Sequence, residues 1–376
     1  MASVRGGPFF RGLIVLADMS SAIRFFYSGN LVEAESILSE ILTEDRYNIN
    51  ALLRYGAVLE GLDKLREAGN VYLKLAQMYF RERSYAESLE VLEKAITYLP
   101  EADNPLLLKG YCLYYLGRYA EALPFFADAT IVEVDNLFYA GKIRFALKRY
   151  REAEQDFLTI KEKAIKREDS LLADYWLGKT YYALRRFDEA ISRLRSYNKA
   201  FPEDKQVFLD LALCYIETGA WDEAEKRLNA YRDKGGNKKL ADLNLGVVFF
   251  RKGEYLKALE HLNNTPSSAQ SLHWKGLAYY SQGLYPEAID CLTELVKLVD
   301  NPYFYYKIMG NAHLKLGNYY EAKMLVERVL DDNPDDPEMD KILVIVRHYL
   351  KEATMSNSSR SPDSDAEADA GNSDED

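Results

Sequence analysis

The sequence predicts an all-α fold: a solenoid of about nine to ten stacked helix hairpins with a C-terminal capping helix. Three observations carry that prediction. Between Leu272 and Pro334 a helix, a glycine turn and a second helix are written twice, with Gly276 and Gly310, Gly283 and Gly317, Tyr285 and Tyr319, and Ala288 and Ala322 each 34 residues apart. A small residue in each first helix is followed 12 positions later by alanine or serine in the second. Hydrophobic residues are 48% and charged residues 28%, enough apolar content to pack such a stack and enough charge to solvate it.

In chain order the small pairs are Ala22/Ala34, Gly56/Ala68, Ala76/Ser88, Gly110/Ala122, Gly141/Ala153, Gly178/Ala190, Ala212/Ala224, Gly246/Ala258, Gly276/Ala288 and Gly310/Ala322. Two antiparallel helices joined by a short turn nest only where the side chains at their crossing are small. Seven residues after the small residue comes the turn, a glycine at Gly29, Gly117, Gly219, Gly253, Gly283 and Gly317. Glycine there ends a helix in the left-handed conformation without a Cβ penalty. Two residues further an aromatic opens the second helix (Tyr85, Tyr119, Tyr150, Phe187, Trp221, Tyr255, Tyr285, Tyr319). A glutamate before the alanine, as at Glu121 or Glu189, suits the positive end of the helix dipole.

Successive small residues are spaced 34, 20, 34, 31, 37, 34, 34, 30 and 34 apart. The step of 20, from Gly56 to Ala76, is too short for two hairpins, so one helix over about Leu65–Arg83 is expected to close one hairpin and open the next, with an irregular joint across 56–88. The step of 37 is expected to lengthen the second helix near Lys161–Arg167, and the step of 30 to truncate the helix ending near Asn263, before Pro266. Residues 1–18 read as an extension, with Arg11 interrupting the apolar run Phe9–Ala17; an extra helical turn into Met19 is favoured over a signal peptide. The solenoid is expected over 19–351, its last helix, about Met339–Lys351, covering the open end with Ile342, Leu343, Val346 and Leu350. Residues 352–376 read as a disordered acidic tail, with seven acids and one arginine from Ser356 onward.

Trp176-Leu177-Gly178, Tyr181, Ala190, Leu194 and Pro202, and likewise Leu211-Ala212, Tyr215, Ala224 and Leu228, resemble the tetratricopeptide repeat pattern, and the resemblance covers about residues 19–350. It implies a right-handed superhelix with the first helices on the concave side, and a role in binding other proteins. The expected function is a non-catalytic scaffold or adaptor in a multiprotein assembly, holding a helical or extended peptide in that groove. The alternative is a co-chaperone or receptor for short client peptides. Some members of the family clamp a chaperone's C-terminal carboxylate with basic and asparagine residues over three repeats. Lys307 and Asn311 match the first pair of that clamp and Asn244 a second-repeat position, but Gln270 and Trp274 stand where basic partners belong.

Helical spacing selects the groove candidates. Four residues after the small residue stand Tyr114, Phe145, Tyr182, Phe250 and Tyr280; three before it, Phe138, Tyr175 and Lys307; one after it, Tyr111, Lys142, Lys179 and Asn311. Such a stripe has two readings: it packs neighbouring repeats together, or it anchors a partner. Under the second, Tyr111–Tyr182 is the favoured stretch, and Lys142 and Lys179 select an acidic client.

No enzyme chemistry or cofactor is expected. Gly178-Lys179-Thr180 mimics the end of a phosphate-binding loop, but Ala173 stands where the earlier glycine belongs. The four histidines show no ligand spacing, so no metal is expected. Cys112, Cys214 and Cys291 are too few and too far apart for a disulfide framework and read as buried thiols in a reducing, cytoplasmic compartment. A net charge of −11 argues against nucleic acid as a partner, and no apolar run is long enough for membrane insertion.

Overall fold

The small residues and turn glycines do in three dimensions what their spacing requires. A computed structural model of the protein describes residues 19–100, 102–127 and 134–358, all helix and short connections with no strand among the described residues. The N-terminal extension and residues 359–376 of the expected tail lie outside them, while residues 352–358, expected in that tail, continue the last helix. The chain divides into two compact units, Met1–Ser196 and Tyr197–Asp376.

In the first unit the hairpins are α1 (19–27) with α2 (Leu31–Glu44), α3 (Ile49–Gly61) with α4 (Leu65–Arg81), α4 again with α5 (Tyr85–Tyr98), and α6 (Asp103–Tyr115) with the short α7 (Tyr119–Ala122) and α8 (Pro124–Ala127). Then follow α9 (Val134–Ala146) with α10 (Tyr150–Lys163), and α11 (Arg167–Ala183) with α12 (Phe187–Ala200), within which the division falls. The second unit pairs α13 (Lys205–Thr218) with α14 (Trp221–Asp233), α15 (Lys238–Arg251) with α16 (Tyr255–Asn263), α17 (Ala269–Ser281) with α18 (Tyr285–Leu295), and α19 (Tyr303–Leu316) with α20 (Tyr319–Asp332), and ends in α21 (Pro337–Ser358).

The crossing is the same in each hairpin. The second-helix alanines and Ser88 are fully buried. The first-helix glycines lie under a large side chain 16 residues on: Gly56 under Tyr72, Gly141 under Phe157, Gly178 under Leu194, Gly246 under Leu262 and Gly276 under Leu292. A Cβ on any of these would stand 2.5–2.8 Å from that side chain. Burying the partner contributes about 1.5–3 kcal/mol per side chain, which requires the close approach.

All ten turns use one backbone device. The residue seven after the small one has φ between 59° and 83°, whether it is one of the six glycines or Asp63, Arg83, Lys148 or Arg185. The next N–H then reaches back to a carbonyl five residues earlier, as in Asn318 to His313 at 2.9 Å, Glu254 to Phe249 at 2.9 Å and Arg186 to Tyr181 at 2.8 Å. That bond satisfies a carbonyl at the helix end that would otherwise lack a partner.

The joint at 56–88 is a single helix, α4, used twice. Tyr72 covers Gly56 of α3, and on α5 the Ser88 hydroxyl donates to the Ala76 carbonyl at 2.8 Å. The step of 30 is taken up by the nine-residue α16. The step of 37 corrects the expectation: α10 keeps 14 residues, and the surplus goes into the first helix α11, which runs to 17. In the hairpin of Gly110 the second helix breaks after Ala122, because Pro124 has no N–H to continue the ladder. At the end of the second unit, α21 buries Met339, Ile342, Leu343 and Val346 against α19 and α20, with Leu350 at the edge.

Candidate functional site

Each candidate position is read from its place on a first helix. The rings four residues after the small residue pack on the aromatic that opens the second helix of the same hairpin. Centroids are 5.7 Å apart for Tyr114–Tyr119, 5.4 Å for Phe145–Tyr150, 5.7 Å for Tyr182–Phe187, 5.3 Å for Phe250–Tyr255 and 5.6 Å for Tyr280–Tyr285. These rungs therefore brace the turn, and each keeps part of its ring at the surface.

In the first unit the stretch 111–182 gathers into two foci. The first is aromatic. Tyr111 meets Tyr139 edge-on at 4.8 Å, and Tyr139 meets Tyr114 edge-on at 5.0 Å. Tyr115 stacks on Tyr85 at 4.8 Å, shares a 3.2 Å hydroxyl contact with Tyr139 and is 46% exposed. Phe138 does not join the surface: at 7% exposure it sits in the core near Phe157, which corrects its place among the lining residues.

The second focus is a tryptophan between two lysines. The Nζ of Lys142 is 5.5 Å and that of Lys179 5.1 Å from the Trp176 ring, which stacks on Phe157 beneath. Lys142 also lies over Tyr139 at 5.4 Å, and Lys179 over Tyr175 at 5.5 Å. These are cation–π distances. Among the described residues neither ammonium has a carboxylate within 4.0 Å, whereas nearby Lys161 pairs with Asp174 at 2.7 Å. Burial pushes the Lys142 pKa down, against a weaker upward pull from Asp135. Such a cation gains from an incoming anion that restores the lost solvation.

In the second unit the candidates are engaged differently. Phe250 meets Trp274 at 5.2 Å, and the Arg251 guanidinium lies 5.2 Å from the same indole. Lys307 is held by Asp336 at 3.0 Å and Glu338 at 2.8 Å, and these hydrogen bonds raise its pKa. Asn311 donates to the Lys307 carbonyl at 3.2 Å and Asn244 to the Leu240 carbonyl at 2.8 Å, so both amides are used within their own helices.

Sequence spacing passed over three residues of the first unit: Tyr115, Tyr139 and Trp176. Tyr139 and Trp176 share a signal, since each stands two residues before the small residue, as Trp274 does in the second unit. Tyr115 occupies a slot that is polar or small in most copies, and it shows itself only by its packing.

The three thiols are held protonated. Burial pushes the Cys214 thiol up to about 12 and raises Cys112 and Cys291 as well. Among the described residues no cluster of three His, Cys, Asp or Glu could hold a metal ion, and no helix is long and apolar enough to cross a membrane.

Family models described as tetratricopeptide repeat match residues 73–136, 131–192, 181–244 and 269–298, together more than half of the chain. A comparison with curated proteins finds no match. Among solved structures, the chain is similar to the APC/C hetero-tetramer Cut9-Hcn1 at 15% identity and TM-score 0.45, covering 88% of this chain and 89% of that one. It is also similar to the C-terminal part of a TPR repeat-containing protein from Cytophaga hutchinsonii, at 16% identity and TM-score 0.44, covering 72% and 99%. The P58(IPK) TPR domain aligns at 16% identity and TM-score 0.39, covering 90% and 99%.

Proposed function

The chain belongs to the tetratricopeptide repeat family, and on that footing we propose that it is a non-catalytic scaffold or adaptor within a multiprotein assembly. Its grip is on a helical or extended segment of a partner, laid along the first helices of the first unit. Tyr111, Tyr114, Phe145, Tyr175 and Tyr182 supply half-buried apolar anchors, which bury much area at low entropic cost. Lys142 and Lys179 select an acidic residue of that segment. The observation that carries this reading is the pair of ammonium groups over Trp176 with no carboxylate of their own at salt-bridge distance among the described residues. An incoming carboxylate makes charge-assisted contacts there without displacing an existing pair.

The reading as a receptor for a chaperone's carboxylate tail is disfavoured. Lys307 already has two carboxylates, and Asn311 and Asn244 spend their amides within their own helices. Pull-down from the native host with the Lys142→Glu/Lys179→Glu variant tests the proposal. Loss of the partners recovered by the parent chain, with helical content unchanged, supports it; an unchanged partner set removes it.

A further inference from the structure

Three cations converge, away from the tryptophan focus, on a small cavity in the first unit. It measures about 290 Å³ and is lined by Arg46, Tyr47, Lys74, Gln77, Met78 and Arg81. Arg46 and Tyr47 come from the connection between α2 and α3. The others lie on α4 at helical spacings of three, four and seven from Lys74, so they form one stripe. Because α4 is covered by α3 on one side and α5 on the other, this stripe is the side on which it meets solvent.

The cavity is arranged around Tyr47, which is 47% exposed. The Arg46 guanidinium lies 4.6 Å and the Lys74 ammonium 5.5 Å from its ring centroid. Arg46 donates to the Tyr47 hydroxyl at 2.6 Å, which leaves that hydroxyl's own proton for another acceptor. Asp45, the adjoining acid, turns its carboxylate back to accept from the Tyr47 N–H at 3.1 Å. Among the described residues Arg46, Lys74 and Arg81 have no carboxylate within 4.0 Å. Other cations of the same hairpins do have one: Lys64 pairs with Glu35 at 2.6 Å and Lys94 with Glu60 at 3.1 Å. In a chain of net charge −11, three converging cations without an acid stand out.

We infer that this cavity binds a phosphate monoester carried on a partner's polypeptide. A phosphorylated side chain brings about two negative charges and three acceptor oxygens, whereas one carboxylate would leave most of the positive charge unmatched. Two guanidinium groups, an ammonium and a phenol proton together offer donors to all three oxygens, with one Arg46 N–H already given to the Tyr47 hydroxyl. The volume lies at the small end of ligand sites, suited to one side-chain group rather than a cofactor. An isolated cavity on an acidic chain lacks the basic stripe that tracks a nucleic-acid backbone. Free phosphate shares the chemistry, and the test separates the two sources.

The test is fluorescence anisotropy of a labelled peptide carrying one phosphoserine among alanines, titrated with the full chain. The expected result is saturable binding at least about tenfold tighter than for the unphosphorylated peptide. Arg46→Gln/Arg81→Gln should weaken it by about tenfold with circular dichroism unchanged, and Lys142→Glu/Lys179→Glu should leave it unaltered, which separates this site from the tryptophan focus. Three results would overturn the inference: no preference for the phosphorylated peptide, unchanged binding in the arginine variant, or displacement by inorganic phosphate or oligouridylate at lower concentration than by unlabelled phosphopeptide.

Discussion

Leu194 occupies the space that a Cβ on Gly178 would need. The added atom would stand 2.6 Å from the leucine Cγ and 3.3 Å from the Ala190 carbonyl oxygen, so neither the side chain nor the backbone leaves room. Gly310 faces Val326 at 3.3 Å and nothing closer. Gly178→Ala should therefore cost about 1–3 kcal/mol, while Gly310→Ala should cost less than about 1 kcal/mol, since alanine also favours helix. Urea denaturation midpoints of the two variants, compared with the parent, check the order.

The ten left-handed turns predict a second pair of opposite effects. Gly253 has φ +79° with nothing within 4 Å of a built Cβ, so Gly253→Ala isolates the backbone penalty, about 1 kcal/mol. Lys148 holds φ +60° with an exposed side chain. Lys148→Gly removes the penalty and should raise stability by about 0.5 kcal/mol after the extra unfolded-chain entropy is offset. Thermal melting of both variants would show shifts of opposite sign.

These turns also mark what could be read in the sequence. Glycine announces the left-handed slot in six copies. In the other four, position alone predicts it, because the hairpin cannot close otherwise. The period likewise marks α4 as a shared helix, since 20 residues hold no more than that. It does not say where a surplus goes: three extra residues between Gly141 and Gly178 fit either side of the connection, and α11 took them up. Nor does a slot decide exposure. Phe138 and Tyr175 share the position three before the small residue, yet Phe138 turns to the core and Tyr175 stays half-buried beside Lys179.

Asp174, on α11, is 4% exposed and ties that helix to α10 and α12, accepting from Lys161 at 2.7 Å, Arg193 at 3.1 Å and Ser196 at 3.0 Å. Asp174→Ala leaves two cations facing each other and should cost about 3 kcal/mol. Lys161→Met keeps the contacts to Arg193 and Ser196 and should cost about 1 kcal/mol. A double-mutant cycle by chemical denaturation measures the coupling.

Asp336 starts α21. One carboxylate oxygen accepts from the Glu338 and Met339 N–H groups at 3.1 Å each, and the other accepts from the Tyr303 hydroxyl and, at 3.0 Å, from Lys307. The Tyr303 bond first, then Lys307 and the Met339 N–H, hold its pKa at about 2, below the ordinary value near 4. A depressed carboxylate stabilises fully above its unfolded pKa, and that contribution is lost as pH falls from about 4 toward 2. Asp336→Asn keeps the cap but not the charge. It should cost about 1 kcal/mol at neutral pH, and the gap to the parent should narrow as pH falls from about 4 and close toward about pH 2. Denaturation midpoints of the two chains across pH 2–7 report it.

The most direct measurement places a photo-crosslinking p-benzoylphenylalanine at position 182, on a first helix, and separately at 163, on a second. The full chain is then irradiated in the native host and the crosslinked peptides are sequenced. Position 182 should capture a partner segment containing acidic residues, Lys142→Glu/Lys179→Glu should abolish this crosslink, and position 163 should not yield it. Capture of the same partner from 163, or a crosslink from 182 indifferent to the lysine reversals, would contradict the proposed groove.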